Sequence, residues 1–348
     1  MQVVASGAPA GIQVPRSVVV MWLAVAVSVP SACSFGATSL PQRLADQEYW
    51  RLVTELSEPA AAATFTHSEN LVSNEAFYAH TVRRLGARGG AYIGVGPEQN
   101  FSYIATLRPA LALIVDIRRE NRNLHLMYKA LFETSGDRAE FVSALFARER
   151  PPGLPGDVSV ADLFAAYETV PPAATLYERN IQRVLGTLIE THGFPLDGFD
   201  VKTIERALHA FYTDGPDIHY GRSLPAGDAG PSYRALMTAT DGGGRSRSYL
   251  ASEEAFAFVK DLHARNLIVP LVGDFSGPHT LRAAGEYIRR HGASVEAFYG
   301  SNVEVYLSRA KVAAFCGNLA TLPYRVRTPF IDNKGLQLLR AKVRTCTR

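Results

Sequence analysis

The stretch from Gly89 to Asn121 constrains the fold of this chain more than any other. It reads as strand, glycine turn, helix, strand, acid. An apolar run, Ala91 to Val95, is interrupted at Gly94 and closed by Gly96. A helical stretch follows from Asn100 to Leu107. It stops at Arg108-Pro109, because the residue before a proline disfavours the α region. Ala110 to Ile117 is then a continuous apolar run suited to a strand buried on both faces. It carries Asp116 at its tip, with Arg118 and Arg119 beyond.

This order is that of a nucleotide-binding βαβ unit. Glycines let the backbone turn tightly and approach a ligand. The helix start offers unpaired N–H groups and the positive end of a dipole. An acid at the tip of the second strand, about 20 residues on, can accept hydrogen bonds from ribose hydroxyls. Asp116 stands at that distance from Gly94 and Gly96. The candidate cofactor-binding residues are Gly94, Gly96, Glu98, Asn100, Asp116 and its neighbour Ile117. A strand-turn-helix of this kind can also bind nothing.

Pyrophosphate binding wants a third glycine before the helix, and Glu98 occupies that place. A carboxylate there repels a dinucleotide. S-adenosylmethionine has no phosphate and carries two cationic groups, so it tolerates an acid. Through Gly94, Gly96 and Asp116 the stretch resembles the first two motifs of the class I S-adenosylmethionine-dependent methyltransferases. It departs from them at Tyr92, where that family usually carries an acid, and at Glu98. The resemblance implies a doubly wound, Rossmann-like α/β fold with S-adenosylmethionine as cofactor.

The chain ahead of this unit has two parts. Val18 to Val29 is an apolar run too short to span a bilayer and suited to a signal-peptide core. Ser31-Ala32-Cys33 behind it is similar to a bacterial lipoprotein cleavage site, with Cys33 acylated and Pro30 an imperfect match. We therefore expect residues 1–37 to be a leader, and the protein to be periplasmic or anchored to the membrane through Cys33. Residues 41–156 then hold peripheral helices and the first βαβ unit. The polar segment Thr66 to Glu75 either folds over the cofactor or is a plain surface loop. Cys316 and Cys346 remain; they either pair or stay reduced.

After Asp116, Glu120 to Thr134 is a strong helix, with His125 and Lys129 expected on a solvated face. Pro151-Pro152-Gly153 breaks the pattern. Residues 157–233 read as a helical insertion that covers the substrate, with Asp217, His219, Tyr220 and Arg222 as candidate contacts. Residues 234–332 return to α/β alternation. Ala235 to Thr240 reads as a short strand, Leu267 to Val272 as a buried strand, Ser294 to Tyr299 as the next, and Phe315 to Leu322 as a last edge segment. Residues 333–348 read as a basic tail, with Leu336 to Arg344 a short helix.

Ligands of open α/β sheets bind outside the carboxyl ends of the strands. Two later strand ends carry polar residues, Gly273-Asp274-Phe275-Ser276 and Ser301-Asn302-Val303-Glu304. Asp274 is the candidate general base, and Asn302 and Glu304 the candidate substrate-orienting residues. Asp274 serves equally well as a helix cap, a favoured role for aspartate. Gly-Val-Gly-Pro-Glu-Gln-Asn-Phe-Ser-Tyr-Ile (94–104), Gly-Asp-Phe-Ser-Gly-Pro (273–278) and Phe-Tyr-Gly-Ser-Asn-Val-Glu-Val-Tyr-Leu (298–307) together resemble an uncharacterised family of bacterial proteins, some of them lipoproteins. That resemblance implies no activity.

The expected fold is thus a doubly wound, mostly parallel α/β sheet with a helical insertion. The expected function is S-adenosylmethionine-dependent methyl transfer to a small molecule or an envelope substrate. The competing expectation is an exported envelope protein that keeps the fold without the chemistry. S-adenosylmethionine is cytoplasmic, so an enzyme of this kind would be cytoplasmic instead. With 47% hydrophobic and 20% charged residues the chain is not disordered, and a formal charge of +3 gives no reason to expect nucleic acid. The sequence holds no His-Glu-x-x-His, Cys-x-x-Cys or Gly-x-Ser-x-Gly, so neither a zinc hydrolase nor an α/β-hydrolase is expected. No metal is expected, and the sequence sets no oligomeric state.

Overall fold

The computed structural model describes residues 39–59, 70–221 and 230–346. The leader with Val18 to Val29 and Cys33, the polar residues Thr66 to Glu69, and Arg222 lie outside the described residues, as does the side chain of Cys346. No helix among the described residues is long and apolar enough to cross a membrane.

Six strands form one sheet: β1 (Ala91–Gly94), β2 (Leu111–Asp116), β3 (Ile268–Val272), β4 (Val295–Ser301), β5 (Pro329–Asp332) and β6 (Gly335–Leu338). Their order is β3-β2-β1-β4-β5-β6. Every neighbouring pair is parallel except the β5–β6 hairpin. The protein is therefore a mixed α/β structure built on a mostly parallel sheet. Each residue of β1, β2 and β3 is buried, as strands covered on both faces must be. The chain winds from β1 outward to β3, then returns to the other side of β1 to lay down β4. The strand order reverses between β1 and β4, and that reversal opens a crevice at their carboxyl ends.

Helices α1 (Asp46–Glu55) and α2 (Tyr78–Arg83) precede the sheet. Helix α3 (Gln99–Leu107) crosses from β1 to β2 and ends at Arg108, whose φ of +51° closes the helix ahead of Pro109. Helices α4 (Arg119–Thr134) and α5 (Arg138–Phe146) follow β2. The next block is helical: α6 (Val160–Tyr167), α7 (Ala174–Gly186), a π-turn over Thr187–Thr191, and α8 (Gly198–Asp214). Helix α8 starts on a capping box in which Asp197 accepts from the amides of Phe199 and Asp200. Helices α9 (Tyr233–Thr238), α10 (Glu253–Ala264), α11 (Thr280–Arg290), α12 (Arg309–Thr321) and α13 (Leu339–Cys346) complete the chain.

Several sequence expectations are corrected. Ala235 to Thr240 is not a strand: its first four residues lie in α9, which is capped by the Ser232 hydroxyl on the amide of Ala235. Phe315 to Leu322 is not an edge strand but the second half of α12, capped by Ser308. The tail after Asn333 enters the sheet as β6 before turning into α13. His125 and Lys129 are not on a solvated face; each is 1% exposed. Helix α4 is enclosed by β2 and β3 and by α5, α7, α8 and α10. Lys129 keeps its charge satisfied there by donating to Glu133, to the His263 carbonyl and to Asn266. Cys316 is buried and disulfide-bonded.

Candidate functional site

A cleft of about 330 Å³ opens where β1 and β4 part. The carboxyl ends of the four parallel strands β1 to β4 line it. They contribute Val95 to Pro97 after β1, Val115 to Arg118 at β2, Gly273 to Phe275 after β3, and Tyr299, Ser301 and Asn302 at β4. Asn70, Ser73 and Asn74 come from the segment before α2, and Tyr220 from beyond α8. Val303, Tyr306, Leu307 and Lys311 close the far side.

The sequence candidates separate into residues that face this cleft and residues that build its wall. Gly96, Asp116, Ile117, Asp274 and Asn302 line it. Gly94, Glu98, Asn100 and Glu304 do not. Asn100 is spent on the turn itself: its Nδ2 donates to the carbonyls of Val95, Gly96 and Pro97 at 2.8–3.1 Å, and its Oδ1 accepts from the Tyr92 hydroxyl at 2.9 Å. Gly94 is glycine because a Cβ there would lie 1.9 Å from Asn100 Oδ1. Gly96 has a φ of +77°, which glycine adopts without strain. His125 braces the same turn, with Nε2 2.8 Å from the Gly96 carbonyl oxygen. A carbonyl only accepts, so Nε2 carries the proton. Burial pushes the His125 pKa down to about 4, so the ring is neutral near pH 7.

Asp116 sits at the tip of β2 against the guanidinium of Arg118. Its Oδ1 accepts from the Arg118 amide at 2.9 Å and from Nε at 3.1 Å, and its Oδ2 accepts from Nη2 at 3.1 Å. A carboxylate offers about four lone-pair directions, so these bonds leave room for one ligand hydroxyl on Oδ2.

Asp274 is the end of β3 turned into the cleft. Its Oδ1 accepts from the amide and hydroxyl of Ser276 at 2.8 and 2.6 Å, and Lys311 Nζ lies 2.9 Å from Oδ2. Burial alone raises its pKa, but the bonds from Ser276 and Lys311 outweigh burial and hold it below the usual carboxylate range. A general base near pH 7 needs the opposite shift. Asp274 is not the cap of the following helix either. The amides of Asp274, His279 and Thr280, ahead of and at the start of α11, bond to the carboxylate of Glu58 at 3.0–3.2 Å. Glu58 fits because position 277 lacks a side chain: a Cβ on Gly277 would lie 2.3 Å from its Oε1.

Glu304 pairs with Lys342 at 2.5 Å. Among the insertion candidates, Tyr220 reaches the cleft, whereas Asp217 is paired with Arg234. The polar segment before α2 resolves toward the cleft, since Asn70, Ser73 and Asn74 line it. Sequence reasoning missed Lys311, Arg118, Tyr306 and Glu58. Arg118 had a signal, its place two residues after the strand-tip acid, and Tyr306 lies within the 298–307 motif. Lys311 and Glu58 act across long sequence separations that no local pattern marks. No group of three or more His, Cys, Asp or Glu side chains among the described residues is arranged to hold a metal ion.

The chain belongs to a protein family defined by a domain of unknown function, DUF7790, whose model matches residues 70–151 and 231–335, more than half of its length. The matched stretches carry all four strand ends that line the cleft. The unmatched span 152–230 holds α6, α7 and α8. No curated protein matches the chain.

Proposed function

We propose that the cleft binds S-adenosylmethionine in a Rossmann-like, methyltransferase-like fold, and that the protein transfers a methyl group to a small molecule. The observation that carries this reading is the juxtaposition of the Gly96 turn after β1 with Asp116 at the tip of β2, on one cleft at the point of strand reversal. Nucleotide cofactors bind at that place in open α/β sheets. The residues present fit the group. A cleft of about 330 Å³ lies within the range of small-molecule sites. The free lone pair of Asp116 suits a ribose hydroxyl, and the Gly96 turn brings bare backbone to the ligand. The Asp274–Lys311 pair offers opposite charges 2.9 Å apart, complementary to a zwitterionic amino-acid tail.

When bound, the cofactor supplies an electrophilic methyl group. The protein's part is to hold the acceptor in line and exclude water. Tyr220, Tyr306 and Leu307 wall the cleft, and Asn302 orients the acceptor from the end of β4. Ionised Asp274 positions the ligand.

A second reading has one observation in its favour. Disulfides persist in oxidising compartments, and Cys316 is in one. That supports the exported envelope protein, in which the cleft is kept without S-adenosylmethionine chemistry.

Calorimetry with S-adenosylhomocysteine distinguishes the two. The enzyme reading expects the parent to bind and Asp116→Ala to bind roughly 10- to 100-fold more weakly, the cost of a charged acceptor at about 1.5–3 kcal/mol. Asp116→Asn, which keeps the shape, falls between them. A parent that does not bind, or an alanine variant that binds like the parent, overturns the assignment.

A further inference from the structure

With Asp274 held ionised by Lys311 and Ser276, it is poorly suited to accept a proton near pH 7. The end of β4 supplies another acceptor. Ser301 lines the cleft and has a φ of +46°, a backbone conformation that costs a side-chain-bearing residue energy. The register of β4 against β5 shifts between Tyr299 and Ser301, and irregularities of this kind re-aim a side chain next to a site. The Ser301 carbonyl is fixed by the amide of Asn333 at 3.2 Å. Its hydroxyl donates to Glu75 Oε1 at 2.5 Å, with the weaker alternative, Asn302 Oδ1, at 3.4 Å. Glu75 lies behind Ser301, part-buried and not among the cleft-lining residues. A turn that only needed capping would not need a strained serine aimed at a carboxylate 226 positions away in the chain.

We propose that Ser301 and Glu75 form the proton-accepting pair of this cleft, with the Ser301 hydroxyl contacting the ligand and Glu75 taking the proton from behind it. The acceptor's O–H or N–H proton passes to Ser301 Oγ as the Ser301 proton passes to Glu75. The couple ends as a neutral serine and a neutral carboxylic acid, and the acceptor keeps the electron pair that forms the new bond. Burial raises the pKa of Glu75 above the usual carboxylate range, against the hydrogen bonds from Ser301 and Tyr299 that lower it. Asp332 raises it further, and Tyr92, Tyr103 and Tyr299 are the other titratable groups that face it among the described residues. Glu75 is in this respect the opposite of Asp274 and the better base near neutral pH. The role rests on the cleft being the reacting site.

The test needs neither cofactor nor substrate. A small fluorophosphonate reports a serine whose proton can be taken: the Ser301 oxygen bonds to phosphorus, the P–F bond breaks, fluoride leaves, and the proton goes to Glu75. Peptide mass spectrometry of the full chain should locate the label on Ser301, and Ser301→Ala should remove it. Glu75→Gln keeps an acceptor for the hydroxyl but cannot take the proton, so its labelling should be 10²- to 10⁴-fold slower, the usual contribution of a general base. In the parent the labelling rate should rise with pH as Glu75 ionises, and in Glu75→Gln that rise should be absent. Absence of label on Ser301 in the parent, or equal rates in parent and Glu75→Gln, overturns the pair. S-adenosylhomocysteine binding is indifferent to that outcome, so failure of the pair and failure of the cofactor assignment are read separately.

Discussion

Glu98→Gln should become more stable relative to the parent as pH rises, by on the order of 4–5 kcal/mol between pH 4 and pH 9. Glu98 is fully buried at the start of α3, and its carboxyl accepts from the Ser73 amide at 3.1 and 3.2 Å. Burial raises its pKa to about 8, because the Ser73 amide and its own amide offset only part of the desolvation. The folded chain therefore holds a proton on Glu98 between about pH 4.5 and 8 that the unfolded chain has released. Folded protein binding more protons means stability that falls as pH rises through that window and levels off above it. Glutamine does not titrate, so the variant lacks that decline. Urea unfolding of both proteins across the pH range measures the divergence directly. Parallel stability profiles would show that Glu98 is ionised in the fold.

Arg138→Met should cost about 3–5 kcal/mol and lower Tm by several degrees. Arg138 is 1% exposed at the start of α5. Its guanidinium donates to Glu253 at 2.9 Å, to the carbonyls of Leu250 at 2.9 Å and Gly156 at 3.0 Å, and to the carbonyl of Val158. It thus joins α5 and the start of α10 to the chain entering the helical block. Methionine fills the volume but leaves those carbonyls without a donor, at about 1–3 kcal/mol for each that stays buried. Glu253 is 36% exposed and can turn to water, so the loss comes from the carbonyls more than from the ion pair. Thermal unfolding checks this. A variant with the parent's Tm would mean that water replaces the guanidinium.

The strands that define the sheet were legible wherever one residue pattern had one physical cause. Ala110 to Ile117 is apolar throughout because β2 is covered on both faces, and Gly96 and Asp116 could be placed beside each other from their spacing alone. Elements whose form is set by distant partners were not legible. The strands β5 and β6 are four residues each, and β6 carries no buried residue that would mark it. Helix α12 contains Gly317 and Asn318, poor helix formers, yet Asn318 is held by the carbonyls of Phe275 and Gly277 from β3's side of the cleft. His125 and Lys129 were misplaced because an amphipathic pattern assumes one solvated face, and α4 has none along Asn121 to Phe132.

For the cleft, the sequence told which residues stand at strand ends but not which way their side chains are spent. Asn100 and Asp116 carry similar signals, yet Asn100 ties three carbonyls of the turn together while Asp116 lines the cleft. Glu304 shares a strand end with Asn302, and Lys342 draws it away. Glu75 lies in the segment that sequence reasoning could read as a plain loop, and its hydrogen bond from Ser301, 226 positions away, leaves no local signal.

Crystallography of the protein grown with S-adenosylhomocysteine tests the central claim most directly. The account predicts the nucleoside in the cleft, one ribose hydroxyl within hydrogen-bond distance of Asp116 Oδ2, the backbone of Gly96 against the ligand, and the amino-acid tail toward Asp274 and Lys311. A cleft that stays empty at ligand concentrations in the millimolar range, or a nucleoside bound elsewhere on the protein, would contradict it.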